Sequence, residues 1–190
     1  MAEAGQIREE ERDPQQEAQR LAALAQIRQY PDPVLRMKAP EVEDFDEDLE
    51  RLVERMKRLM RDAYGLGLAA NQVGILRRVF VFQADEEAEE AAALVNPRIV
   101  ERSEEVETDE EGCLSIQGIR VPVERNLSVS IEGLDVSGAE ASYELEGLAA
   151  RVAQHELDHL DGALILDRTD DENRRMALAA LRTGTVLARS

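Results

Sequence analysis

Both histidines of this 190-residue chain fall in one five-residue stretch, His155-Glu156-Leu157-Asp158-His159. Residues four apart stack on one face of a helix, so the two imidazoles can converge on a single ion. Leu148 and Val152 share that face at helical spacing, which turns it toward a core. Uncharged histidines on an apolar face need a partner. Glu156, between them, is within reach of a water held by such an ion. The fold must therefore contain a helix over 147–162 buried on its histidine side, with Gly162 as its C-terminal stop. The bland alternative is a solvated helix with incidental histidines. The apolar face weighs against it, as does the use of every histidine in the chain at this one pair.

Two imidazoles do not complete a catalytic metal site, which generally takes three protein ligands. Cys113 is the chain's one cysteine, so no intrachain disulfide can form and a reducing compartment is expected. A buried lone cysteine is by default a small hydrophobe. Here it sits in Glu111-Gly112-Cys113-Leu114-Ser115, where Gly112 lets backbone approach a ligand. A third stretch, Gly65-Leu66-Gly67-Leu68-Ala69-Ala70-Asn71-Gln72-Val73-Gly74, drops its side chains just where a helix ends. It could equally be a tight turn. It is no nucleotide loop, because the Lys-Ser/Thr pair and a surrounding βαβ unit are missing.

The rest of the chain reads as one domain with appendages. Residues 1–26, charged and rich in Gln and Ala, are expected to be a flexible extension outside the core. Residues 27–168 are expected to form the single folded domain that carries these motifs, and 169–190 a C-terminal helix. Leu49, Leu52, Val53, Met56, Leu59, Met60 and Ala63 repeat at three- and four-residue spacing, which predicts a helix over 46–64 capped by Asp44 or Asp46 and stopped at Gly65. Strands are expected over 79–83, 94–100, 119–123, 127–134 and 142–146, with a hairpin turn at Ser137-Gly138. The acidic run 85–90 reads as a solvated loop, a second acidic run over 101–111 leads into the Gly112–Ser115 stretch, and 170–188 reads as the terminal helix. This order predicts an α+β fold: antiparallel sheets packed around a central HExxH-bearing helix, with an N-terminal and a C-terminal helix. The net charge of −18 repels nucleic-acid phosphates, so direct DNA binding is not expected. No apolar run reaches the ~18 residues that cross a bilayer. The acidic N-terminus does not resemble a secretory or organellar leader, and the cytoplasm is the expected location.

Taken in order, Gly-Leu-Gly-Leu-Ala-Ala-Asn-Gln, Glu-Gly-Cys-Leu-Ser and Gln-His-Glu-Leu-Asp-His-Leu closely resemble the three signature motifs of the peptide deformylase family. The resemblance runs from about residue 27 to 167 and includes Tyr30-Pro31-Asp32-Pro33-Val34-Leu35 and Leu94-Val95-Asn96-Pro97. It implies a metal-dependent hydrolase that takes the formyl group off the N-terminal formylmethionine of nascent peptides and releases formate. By the same resemblance Cys113, His155 and His159 hold one divalent ion. Fe(II) is the expected native metal, with Zn(II), Ni(II) or Co(II) able to replace it. Glu156 moves the proton, and the Leu114 backbone N–H and the Gln72 amide receive the charge on the formyl oxygen. The peptide is expected along the backbone of Gly67 and Gly112, with Leu66, Leu148 and Val152 lining the methionine pocket and Arg120 facing substrate. Glu111 and Arg125 are expected to pair behind the cysteine loop.

This sequence departs from the family pattern at Gln117, where many relatives carry proline. The C-terminal arginines Arg174, Arg175, Arg182 and Arg189 make an ordinary solvated helix or a transient ribosome contact. Two rival functions are a zincin-type metalloprotease taking Glu172 as third ligand and a catalytically silent relative that binds the nascent chain or ribosome.

Overall fold

The computed structural model describes residues 13–84 and 90–183. Helix α1 (Pro14–Leu24) opens on a capping box: the Asp13 carboxylate accepts from the Gln15 and Gln16 N–H groups, and Gln16 Oε1 accepts from the Asp13 N–H. Its last turn is not an appendage. Ala23 and Leu24, with Ile27 just after, are buried in the same core as α2. The expectation of an extension outside the core through residue 26 is corrected at that end, because three apolar side chains cover the α2 surface; residues 1–12 lie outside the described residues.

Helix α2 (Glu47–Asp62) follows its periodicity, burying Leu49, Val53, Met56, Leu59 and Met60. Asp46 is the N-cap, accepting from the Leu49 N–H at 2.9 Å. The stop differs from expectation. Tyr64, not Gly65, takes the left-handed conformation (φ 59°), and the Tyr64 and Gly65 N–H groups close onto Arg61 and Met60. Gly65 is small for another reason: a Cβ there would stand 2.7 Å from Leu114 Cδ1.

The stretch after α2 is a short strand, β1 (Gly67–Ala69), followed by a 3₁₀ turn over Ala70–Val73. Strands β2 (Val79–Phe82), β3 (Ala92–Arg102), β6 (Ser128–Leu134) and β7 (Glu140–Glu146) join β1 in an antiparallel sheet of order β1-β2-β3-β6-β7. Strand β2 shows how this sheet is filled on both sides. Val79 and Val81 face the α1–α2 layer, whereas Phe80 and Phe82 face the layer containing helix α3 (Gly147–Leu160). The β6–β7 turn forms at Ser137-Gly138 as expected, with the Asp135 carboxylate accepting from the Ser137 and Ala139 N–H groups.

The acidic 101–111 run, given no element from sequence, is largely strand. It contains the end of β3 and most of β4 (Val106–Cys113), which pairs with β5 (Ile116–Asn126) in a second, two-stranded sheet. Exposed acids at Glu107 and Asp109, with the half-buried Glu110, mask the strand pattern, and only its last three residues are buried. Helix α3 contacts β1, β2, β6 and β7 of the large sheet and β5 of the small one. Gly162 (φ 77°) ends it, with N–H bonds from Gly162 and Ala163 to His159 and Asp158. A short helix α4 (Ile165–Arg168) and helix α5 (Asp171–Thr183) cover β5 through Ile165, Leu166, Ala177 and Ala180. The remainder of the expected terminal helix, with Arg189, and the 85–89 part of the acidic loop lie outside the described residues. The result is a mixed helix and antiparallel-sheet fold.

Candidate metal centre

Strand β4 and helix α3 deliver the three donors from 42 residues apart or more in sequence. Cys113, at the end of β4, brings Sγ to 3.3 Å from His159 Nε2, and His159 Nε2 lies 3.2 Å from His155 Nε2. The three donor atoms all fall within 4.8 Å of one another, and all three residues are buried. One thiol sulfur and two imidazole nitrogens suit a divalent transition metal, without selecting among Fe, Zn, Co and Ni. Burial pushes His159 well below its ordinary pKa, toward the neutral form that ligates metal.

Glu156 is buried beside this cluster. Its Oε2 has no hydrogen-bond partner among the described residues. Burial pushes its carboxyl up to about 7, against an opposing pull from His155. The space it occupies exists because residue 67 is glycine: a Cβ on Gly67 would stand 2.7 Å from Glu156 Cγ and Cδ. A buried carboxyl with one oxygen unsatisfied is costly to stability, which is the pattern of a group kept for chemistry.

Gln72 enters from the 3₁₀ turn. Its Oε1 accepts from the Ala69 N–H at 2.8 Å, so its amide nitrogen points the other way, 3.1 Å from Ser115 Oγ and 3.8 Å from Cys113 Sγ. Leu114 is buried next to the cysteine, and its carbonyl accepts from Gln29 Nε2. Gly112 pairs with Arg120 across β4–β5, which places the half-buried Arg120 beside the cysteine loop. Burial lowers the Arg120 pKa. Leu66 and Val152 belong to one apolar cluster, with Leu148 packed against it.

Behind the donors lies a charged network of which the sequence revealed only one pair. Arg125 forks onto Glu111 (Nε–Oε1 2.9 Å, Nη2–Oε2 3.0 Å), and His155 Nδ1 lies 3.0 Å from Glu111 Oε2. Burial alone would raise the Glu111 carboxyl, but the His155 and Arg125 hydrogen bonds outweigh it and hold it far below the usual carboxylate range. Arg125 also reaches Asp158 at 2.6 Å, and Arg168 caps Asp158 from the surface. Arg151 and Asn71 are further residues the sequence reading did not single out. Arg151 donates to Glu111, and the Asn71 amide donates to the His159 carbonyl. A signal for Arg151 was present: Leu148, Arg151 and His155 follow i, i+3, i+7 spacing, so this arginine rides the buried stripe.

The profile of the polypeptide deformylase family matches residues 24–175. The chain belongs to that family. It is 44% identical over 161 residues to peptide deformylase 1 of Corynebacterium glutamicum, covering 84% of this chain and 95% of the relative. Its fold matches a peptide deformylase crystal structure from Legionella pneumophila with TM-score 0.78 and 39% identity, over 83% of this chain and 93% of the other. A Plasmodium falciparum peptide deformylase solved with an inhibitor matches with TM-score 0.75 and 38% identity, over 83% and 97%. Family membership makes the enzyme a metal-dependent hydrolase that removes a formyl group, not a zincin-type protease. Glu172, the third ligand that a protease would need, is exposed in the first turn of α5 and is absent from the donor group.

Proposed function

We propose that the enzyme deformylates nascent N-formylmethionyl peptides at the centre formed by Cys113, His155 and His159. The observation that carries this reading is the convergence of those three donors with a buried, unpartnered Glu156 oxygen beside them. Helix α3 is the element around which the antiparallel strands arrange the site. A divalent cation held there supplies Lewis acidity, acidifying a water and drawing charge onto the formyl oxygen. Fe(II) is the proposed native ion, with Zn(II), Ni(II) or Co(II) as substitutes.

The chain's own groups do the rest. Glu156 takes the proton of the attacking water as its oxygen bonds to the formyl carbon. When the C–N bond breaks, Glu156 hands that proton to the departing amine, leaving formate and a free methionine N-terminus. Negative charge on the formyl oxygen is met by the Leu114 backbone N–H and the Gln72 amide, whose orientation is fixed by Ala69. Removing one such donor typically costs ~10²–10³ in rate.

The peptide adds as a strand along the backbone around Gly67 and Gly112. Its methionine enters the apolar cluster of Leu66, Leu148 and Val152, and Arg120 faces the following residues. A formyl group fits the buried centre; the larger acetyl group is excluded. No described helix is long and apolar enough to cross a membrane, and the proposed location is the cytoplasm. Helix α5 buries Ala177 and Ala180 and leaves Arg174, Arg175 and Arg182 exposed, the surface any transient ribosome contact would use.

The test is formate release from a formyl-Met peptide by anaerobically purified protein, paired with metal analysis. One equivalent of metal with formate release is the expected result. Cys113→Asp should shift or destroy metal binding. Stoichiometric metal without formate release would leave a silent binder and overturn the reading.

A further inference from the structure

Three residues of α3, one helical turn apart, face the small sheet: Arg151, His155 and Asp158. His155 and Asp158 meet side chains there, Glu111 and Arg125. Arg151 also bonds to backbone. Its Nη1 donates to Glu111 Oε1 at 2.9 Å and to the Val123 carbonyl at 2.8 Å, and its Nη2 donates to the Glu107 carbonyl at 2.9 Å. Val123 lies in β5 and Glu107 in β4, so one guanidinium spans both strands of the sheet.

The geometry points to Arg151 as a positioning residue for the metal centre, setting where His155 of α3 stands relative to Cys113 of β4. This rests on the metal site proposed above. Glu111 is the shared element: one carboxylate oxygen takes Arg151 and the other takes His155. A carboxylate held only by His155 and Arg125 would move with those side chains, since both are themselves rotatable. Arg151 ties it to two carbonyls that cannot rotate. Residues 151 and 155 lie about 6 Å apart along the helix axis. Two attachments at that separation fix both the shift and the tilt of α3 against β4, whereas one would act as a pivot. Cys113 follows Glu111 by two residues on β4, and its sulfur meets His159 one turn beyond His155. The Arg151–Glu111 clamp therefore governs the sulfur-to-nitrogen spacing that the ion experiences.

A planar fork is required to make all three bonds at once, and an ammonium group cannot replace it. The experiment compares wild type with Arg151→Lys using Co(II) as the probe. It reads the Co(II) dissociation constant, the thiolate-to-cobalt absorption band, and kcat and KM for a formyl-Met peptide. The expected result is a Co(II) dissociation constant raised roughly 10–100-fold, a displaced band, and a lower kcat with KM unchanged. Wild-type affinity and band in a variant that has merely lost thermal stability would overturn the role. If R151K does not fold, R151Q carries the same readouts. Failure of both to fold even with saturating Co(II) would make Arg151 a stability residue and also overturn the role. A wild type lacking the thiolate band altogether would instead sink the underlying metal site, so the two failures are distinguishable.

Discussion

Helices α2 and α3 both pack against the core, yet they are held in place by different physics. The inward face of α2 is entirely apolar, and its charges stay in water. The buried part of α3 includes Arg151, Gln154, His155, Glu156 and His159. Packing stabilises the first at no electrostatic cost. The second carries ions out of water, and their mutual attraction offsets desolvation only because nearly every charge is paired. The contrast separates scaffold from machinery. Damage to α2 should cost stability and spare chemistry, while damage to α3 should do the reverse.

The largest expected effect is on α3. Glu156→Gln should lower kcat by about 10²–10⁴-fold while metal content is retained and Tm does not fall, since a buried ionisable carboxyl, whose Oε2 has no partner among the described residues, is replaced by a neutral amide. Loss of metal in that variant would move Glu156 from proton transfer to ligation. On α2, Met56→Ala should cost about 2–5 kcal/mol in denaturant unfolding. Formate release per folded molecule should stay at the wild-type value, and a change in kcat would break the separation. Gly67→Ala sharpens the comparison from the opposite side of the site. Its new Cβ displaces Glu156, and a shift of about 1 Å can cost ~10² in rate, so kcat should fall far more than Tm. The smallest effect belongs to Asp46→Ala, which removes the α2 cap and should cost about 1 kcal/mol, with metal affinity untouched.

Elements whose signal is local were legible before any coordinates. The α2 face, the Asp46 cap, the Gly162 stop and the Ser137-Gly138 turn each depend on neighbours within a few residues. Strand β4 was not legible, because the acids Glu107, Asp109, Glu110 and Glu111 leave no apolar alternation and pairing with β5 makes it a strand. Strand β1 is three small or apolar residues buried on all sides, without alternation. Helix α1 read as a charged extension because its contribution to the core is confined to its last turn. At the site, the ligand types were visible as motifs and the Glu111–Arg125 pair through the family resemblance, but the other partners of Glu111, Arg151 and His155, were not. Arg125 is 14 residues away from it, Arg151 40 and His155 44.

The sequence alone determined the chemistry on offer: one thiol, two imidazoles a helical turn apart, a carboxylate between them and small residues to make room. Side-chain type and local spacing dictate those, and they survive any uncertainty in the fold. Only the tertiary structure decided that the thiol and imidazoles meet, that Glu156 keeps an oxygen free, and that Arg151 ties helix to sheet. Those facts depend on how two separately folded elements pack, and packing is set by the whole core rather than by any segment within it.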